Sequence, residues 1–181
     1  GLIATAVLVL LFVYSLCLKT TTLWGNVVVA VAGAAAFPFG AVASGSWGRS
    51  WIPAGFALFF HIGREMVKDL EDVAGDRSVG ARTLPLRWGA SAAIWFITLI
   101  LLILIGLTVL PWLWKIYGIA YFAVVIPMDL VVIAVLLRLW RVRDDFGAGD
   151  NDGPEASNTL SLILKGCMLL GLLSIVAGEA L

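Results

Sequence analysis

Seven side chains in one short stretch could share a chemistry: His61, Arg64, Glu65, Lys68, Asp69, Asp72 and Asp76, within HIGREMVKDLEDVAGD. On a helix each residue turns by about 100°, which puts Asp69 at 0°, Asp76 near −20°, Glu65 near −40°, Asp72 near −60° and His61 near −80°. These five fall in one arc of about 80°, with Lys68 and Arg64 following at about −100° and −140°. Gly75 is expected to end the helix just before Asp76. Carboxylates crowded at one face repel each other unless a cation joins them. Hard oxygen ligands with gaps for water and phosphate suit Mg²⁺. Adjacent Lys68 and Arg64 supply donors for phosphate oxygens. The set suits a metal-bridged diphosphate, in which the metal neutralises charge on the departing group and eases cleavage of a carbon–oxygen bond. The competing reading is a juxtamembrane charged loop whose ions pair with one another and with water.

The elements that must position these residues are membrane helices. Of 181 residues, 61% are hydrophobic and only 13% charged, whereas a soluble domain carries about 25% charged residues. Ser91 to Leu110 contains no formal charge, and Tyr117 to Leu137 only Asp129. In hydrocarbon the backbone must satisfy itself, so such runs are helices, and their lack of alternation excludes a membrane barrel. The expected fold is all-α: a polytopic helical bundle with spans near 1–18, 25–45, 51–73, 90–111, 115–140 and 158–179. A tight turn is expected at Pro111 to Lys115. Small residues in AVAGAAAFPFG would let the second span pack closely. Trp51 to Gly63 is too short to cross alone, so the third span must continue into the charged stretch. Charges at the end of a span are costly and mark a water-filled cavity.

Charge sets the orientation. Lys19, Arg64, Lys68, Arg77, Arg82, Arg87, Arg138, Arg141 and Arg143 fall on one side of six spans, Arg49 and Lys115 on the other, and Lys165 lies in the last span toward the first side. Basic loops stay cytoplasmic, so the acidic stretch is expected to face the cytoplasm from a multi-pass protein of the plasma membrane. Net charge is zero, which gives no argument for nucleic-acid binding. Cys17 and Cys167 read as separate buried thiols without metal spacing. The chain starts at Gly1 inside an apolar run and reads as a truncation.

Three further features have plain readings. His61 is expected to pack or to line a cavity rather than to ligate a metal. Asp129, mid-span after Pro127, is expected to pair with a neighbouring helix or with backbone freed by the proline. Seven of the tryptophans, Trp24, Trp47, Trp51, Trp88, Trp112, Trp114 and Trp140, flank spans as an interfacial belt. Gly147 to Asn158 lacks the full spacing of a calcium loop and reads as a flexible cytoplasmic connection.

With Asp69-x-x-Asp72-x-x-x-Asp76, preceded by Arg64-Glu65-Met66-Val67-Lys68 and followed by Gly80-Ala81-Arg82-Thr83-Leu84-Pro85, the chain resembles the UbiA superfamily of intramembrane aromatic and lipid prenyltransferases. Tyr14-Ser15 with Lys19, then Gly25-Asn26, resemble that family's fourth-to-fifth helix region. The REMVKDLEDVAGDR version is closest to the branch that transfers a geranylgeranyl group to geranylgeranylglyceryl phosphate.

The resemblance implies spans four to nine of a nine-helix fold: a single transmembrane domain, residues 1–181, incomplete at its N-terminus. It implies Asp69, Asp72 and Asp76 as catalytic, Mg²⁺-linked ligands of a prenyl diphosphate, Lys68 and Arg64 as phosphate contacts, and Tyr14, Lys19 and Asn26 at the substrate cavity. The implied reaction is Mg²⁺-assisted loss of diphosphate to an allylic cation, which the face of Tyr14 could stabilise. Attack by a lipid or aromatic acceptor follows. The family's first aspartate-rich motif is absent, since residues 1–50 contain no acidic residue. The chain alone is therefore expected to be inactive. A cation-binding transporter or an inactive scaffold with the same carboxylates are the alternatives, and the lack of a second broken helix weighs against the transporter.

Overall fold

The computed structural model describes residues 1–19, 21–45, 47–144, 146 and 159–180. Among them there are helices and turns and no strand. Helix α1, Leu2–Val13, runs into a π-helix at Tyr14–Leu18, where Lys19 N–H reaches Tyr14 O at 2.9 Å. Then come α2 (Trp24–Ala34), α3 (Ala36–Ala43), α4 (Trp51–Glu71), α5 (Val73–Ser78), α6 (Leu84–Leu113), α7 (Ile119–Arg141) and α8 (Leu160–Ala180). The calcium-like stretch, residues 147–158, lies outside the described residues.

The six expected spans coincide with helical rods, with local breaks that have physical causes. The second rod divides at Ala35. Pro38 has no N–H, and its ring would clash with the Ala34 carbonyl one turn back. The fourth rod kinks at Gly89, whose φ of 85° and ψ of 161° suit only glycine, so the apolar run starts afresh at Ala90. One boundary of the expected Pro111 to Lys115 turn moves. Pro111 to Leu113 lie inside α6, so the turn is confined to its second half, through Lys115 at φ 56°. Four segments among the described residues are long and apolar enough to cross a membrane: Trp24–Ala43, Leu84–Leu113, Ile119–Arg141 and Leu160–Glu179. Leu2–Leu18 is apolar but shorter, and α4 carries its charges in its second half.

In lipid, apolar side chains gain little by leaving the solvent, so helices associate through close packing and polar links. Helix α4 sits between α2 and α6, and α7 packs on α8. Gly63 admits Leu101 of α6: a Cβ there would lie 2.5 Å from Leu101 Cδ2. Thr108 Oγ1 of α6 donates to Asp129 Oδ2 of α7 at 2.9 Å, and Tyr121 O–H donates to Thr108 O at 2.5 Å. Asp129 thus has the interhelical pairing expected of it. Leu99, Leu102, Leu130, Leu137 and Leu169 point outward, as a lipid-facing surface requires. Trp24, Trp47, Trp51, Trp88, Trp112 and Trp114 are exposed near helix ends. Trp140 departs from the belt: it is half-buried, donates to Thr98 Oγ1 at 3.0 Å and meets Trp95 edge-on.

Connectors gather at two ends. At one, Arg49 donates to Ile116 O at 2.9 Å, and Gly178 lies against Tyr117. At the other, Arg87 donates to Thr22 Oγ1 at 3.1 Å. The acidic stretch belongs to this second end.

Candidate functional site

Helix α4 carries the site because its second half is amphipathic. Met66, Val67 and Leu70 are fully buried in the bundle, while Lys68 is exposed. Asp69 lies on the last turn, where Asn26 Nδ2, from the first turn of α2, donates to its Oδ2 at 2.8 Å. Asn26 therefore sits at the carboxylates themselves. Tyr14, half-buried at the start of the π-helix, packs beside Gly25 and feels the charges of Glu65 and Asp69. The π-helical turn, an arrangement common at functional sites, lets the first rod lean onto α2 there.

The helix ends at Asp72, not at Gly75. Asp72 has φ −110° and ψ 30°, and the chain resumes as α5 with Gly75 inside it. Aspartate offers its own backbone competing hydrogen bonds, which favours such a break. The Asp72 carboxylate folds over Gly75, where an added Cβ would fall 2.2 Å from Asp72 Oδ1. The continuous helical arc therefore holds for His61, Glu65 and Asp69 and not for Asp76. Asp76 nevertheless comes into electrostatic contact with both Asp69 and Asp72. Gly80, at φ 67°, ends α5, and Ala81 N–H returns to Asp76 O at 2.9 Å.

Burial pushes the Asp76 carboxyl above its ordinary range, and the Asp72 charge adds to this, while Thr83 and Lys68 pull the other way. Its Oδ2 is buried without a hydrogen-bond partner. Arg64 forms an ion pair with Glu65 through Nη1, and its Nε is a buried donor without an acceptor. Lys68 lies close enough to act on both Asp69 and Asp76, and forms no ion pair among the described residues. Lys19 is exposed at the end of the π-helix, and among the described residues no ion pair joins its ammonium to the carboxylates.

No three acidic, histidine or cysteine side chains among the described residues converge as a ready cation cage. The carboxylates instead form an open wall of hard oxygen donors, one of them orphaned. Such a wall fits a divalent cation whose remaining ligands come from phosphate oxygens and water. His61 stands two turns before Asp69 on the same face of α4, within reach of the Glu65 and Arg64 charges. It packs on Gly33 and lines an apolar cavity of about 240 Å³ with Phe37, Phe56, Phe60 and Met128.

Gly75 yields a direct test. Gly75→Ala is expected to swing the exposed Asp72 side chain off α5 while sparing the core. In the full-length protein, the affinity of the carboxylates for a divalent cation should fall about tenfold, the effect of one displaced charge-bearing contact. The thermal unfolding midpoint should stay within about 2 °C. Unchanged cation affinity would show that the seat of Asp72 over Gly75 is immaterial.

The chain is 38% identical over 110 residues to the digeranylgeranylglyceryl phosphate synthase of Sulfurisphaera tokodaii, covering 59% of this chain and 39% of that one. With the synthase of the same name from Sulfolobus acidocaldarius it shares 39% identity over 100 residues, or 55% of this chain and 36% of the relative. The Pyrococcus furiosus synthase is 40% identical over 90 residues, 50% of this chain and 32% of the relative. The chain thus matches under two fifths of the length of these curated relatives. A solved structure of a digeranylgeranylglyceryl phosphate synthase in membranes superposes with a TM-score of 0.84 at 28% identity, covering 99% of this chain and 61% of that one. The model of the UbiA prenyltransferase family matches residues 1–149, and the chain belongs to that family.

Proposed function

We propose that the full-length protein transfers a geranylgeranyl group from its allylic diphosphate to geranylgeranylglyceryl phosphate, with Mg²⁺. Residues 1–181 would form part of a single transmembrane domain whose N-terminal portion, with the opposite acidic wall, lies outside this chain. The observation that carries the reading is the acidic wall at the end of α4, with Asp69 held by Asn26 and Asp76 keeping an unpaired, buried oxygen. The synthase names of the relatives support the choice of substrates.

In this reading Asp69, Asp72 and Asp76 would be the residues that hold Mg²⁺. When bound there, the cation would supply charge neutralisation for the leaving diphosphate. Arg64, through its unpaired Nε, and Lys68 donate to phosphate oxygens. Tyr14 turns its ring toward the allylic carbon from the first rod, and Lys19 and Asn26 complete the polar rim. The allylic carbon–oxygen bond breaks with its electron pair leaving on the diphosphate. The acceptor hydroxyl oxygen then bonds to that carbon and releases its proton to water at the polar rim. The excess of basic residues in the loops at this end supports a cytoplasmic position for the wall.

The test is transfer of radiolabelled geranylgeranyl diphosphate to geranylgeranylglyceryl phosphate by the full-length protein in vesicles. Product should appear with Mg²⁺ and vanish with EDTA. Cation uptake without any transfer would overturn the reading in favour of a transporter, and neither would point to a scaffold.

A further inference from the structure

The motif contains a fourth carboxylate that the acidic wall does not use. Glu71 stands between Asp69 and Asp72, yet helical geometry turns it about 160° away from Asp69 around α4. It faces α8. Its Oε1 accepts a hydrogen bond from Ser161 N–H at 3.0 Å, across 90 residues of sequence. Ser161 is the second residue of α8, where backbone N–H groups have no partner within the helix. A carboxylate at that end also meets the positive pole of the helix. Helix α8 packs on both α7 and α4. The turn of α4 that presents Asp69 is the same turn that holds α8.

From this we infer that Glu71 is a positioning residue: it ties the start of α8 to the end of α4, and that tie fixes the backbone turn carrying Asp69 and Asp72. Glu71 acts as a hydrogen-bond acceptor and not as a cation ligand. The inference rests on the proposed transfer reaction only for its kinetic consequence, because the tie itself can be measured without turnover.

The chemistry separates two substitutions. Glu71→Gln keeps an amide oxygen at the same reach and loses the charge, whereas Glu71→Ala removes the acceptor. Hydrogen exchange over residues 159–165 of the full-length protein reads the tie. In E71A it should speed up about tenfold or more, and in E71Q stay within about threefold of the unsubstituted protein, as loss or retention of one acceptor predicts. Kinetically, E71A should raise KM for the prenyl diphosphate more than it lowers kcat, and E71Q should recover most of the loss. Equal damage from E71Q and E71A to transfer would assign Glu71 to the cation instead and overturn the inference. So would unaltered exchange in E71A. Absence of transfer by the unsubstituted protein would overturn the functional reading alone, and the exchange comparison would still decide the tie.

Discussion

Asp72→Ala in the full-length protein is expected to lower Mg²⁺-dependent prenyl transfer by about 10²–10³, the usual cost of removing one group that stabilises developing charge. The protein should still fold. Asp72 is exposed, and its side chain accepts no hydrogen bond recorded among the described residues. Its carboxylate rests over Gly75 of its own chain segment and braces no other helix. The core beneath it is made by Met66, Val67 and Leu70, which the substitution does not touch. The thermal midpoint should therefore move by no more than about 2 °C, while radiolabelled product falls to near background. Undiminished transfer of geranylgeranyl groups by this variant would sink the assignment of the acidic wall. Loss of folding together with activity would make Asp72 a structural residue.

What could be read from the sequence was what repeats along one helix. His61, Glu65 and Asp69 share a face because four-residue spacing dictates it, and the bundle keeps that face. The apolar runs gave the rods, since in lipid the backbone has few alternatives to a helix. The break at Asp72 was not readable. Gly75 is the stronger formal signal for a helix end, yet it is retained within α5 as the space that Asp72 occupies.

Long-range partners escaped for a different reason. Asn26 and Asp69 are 43 positions apart, and Glu71 and Ser161 are 90 apart. No local pattern encodes such a pair. One signal was available for Glu71: the helical angle that excluded it from the acidic face also required it to face another helix. Trp140 shows the opposite failure. Its place at a helix end matched the interfacial pattern, but Thr98 offered its indole N–H an acceptor inside the bundle.

The link between Asn26 and Asp69 makes the second large prediction. Asn26 Nδ2 gives Asp69 the one side-chain hydrogen bond recorded for it, and it does so from another helix. Replacing the amide with an apolar side chain of similar size leaves a half-buried carboxylate without its donor. Asn26→Leu should therefore lower transfer by about 10- to 100-fold, as loss of one hydrogen bond to a charged group predicts. Asn26→Asp should be worse. It sets a second anion where a donor had been, at a spacing of 2.8 Å in the unsubstituted protein. Like charges that close repel and would push Asp69 off its present line. Steady-state rates of the two variants, taken with thermal midpoints, separate this from simple unfolding. The expected order is unsubstituted, then N26L, then N26D. If N26D matched or exceeded the unsubstituted protein, Asn26 would be a cation ligand that aspartate serves better. Asp69 would then be held by something other than this hydrogen bond.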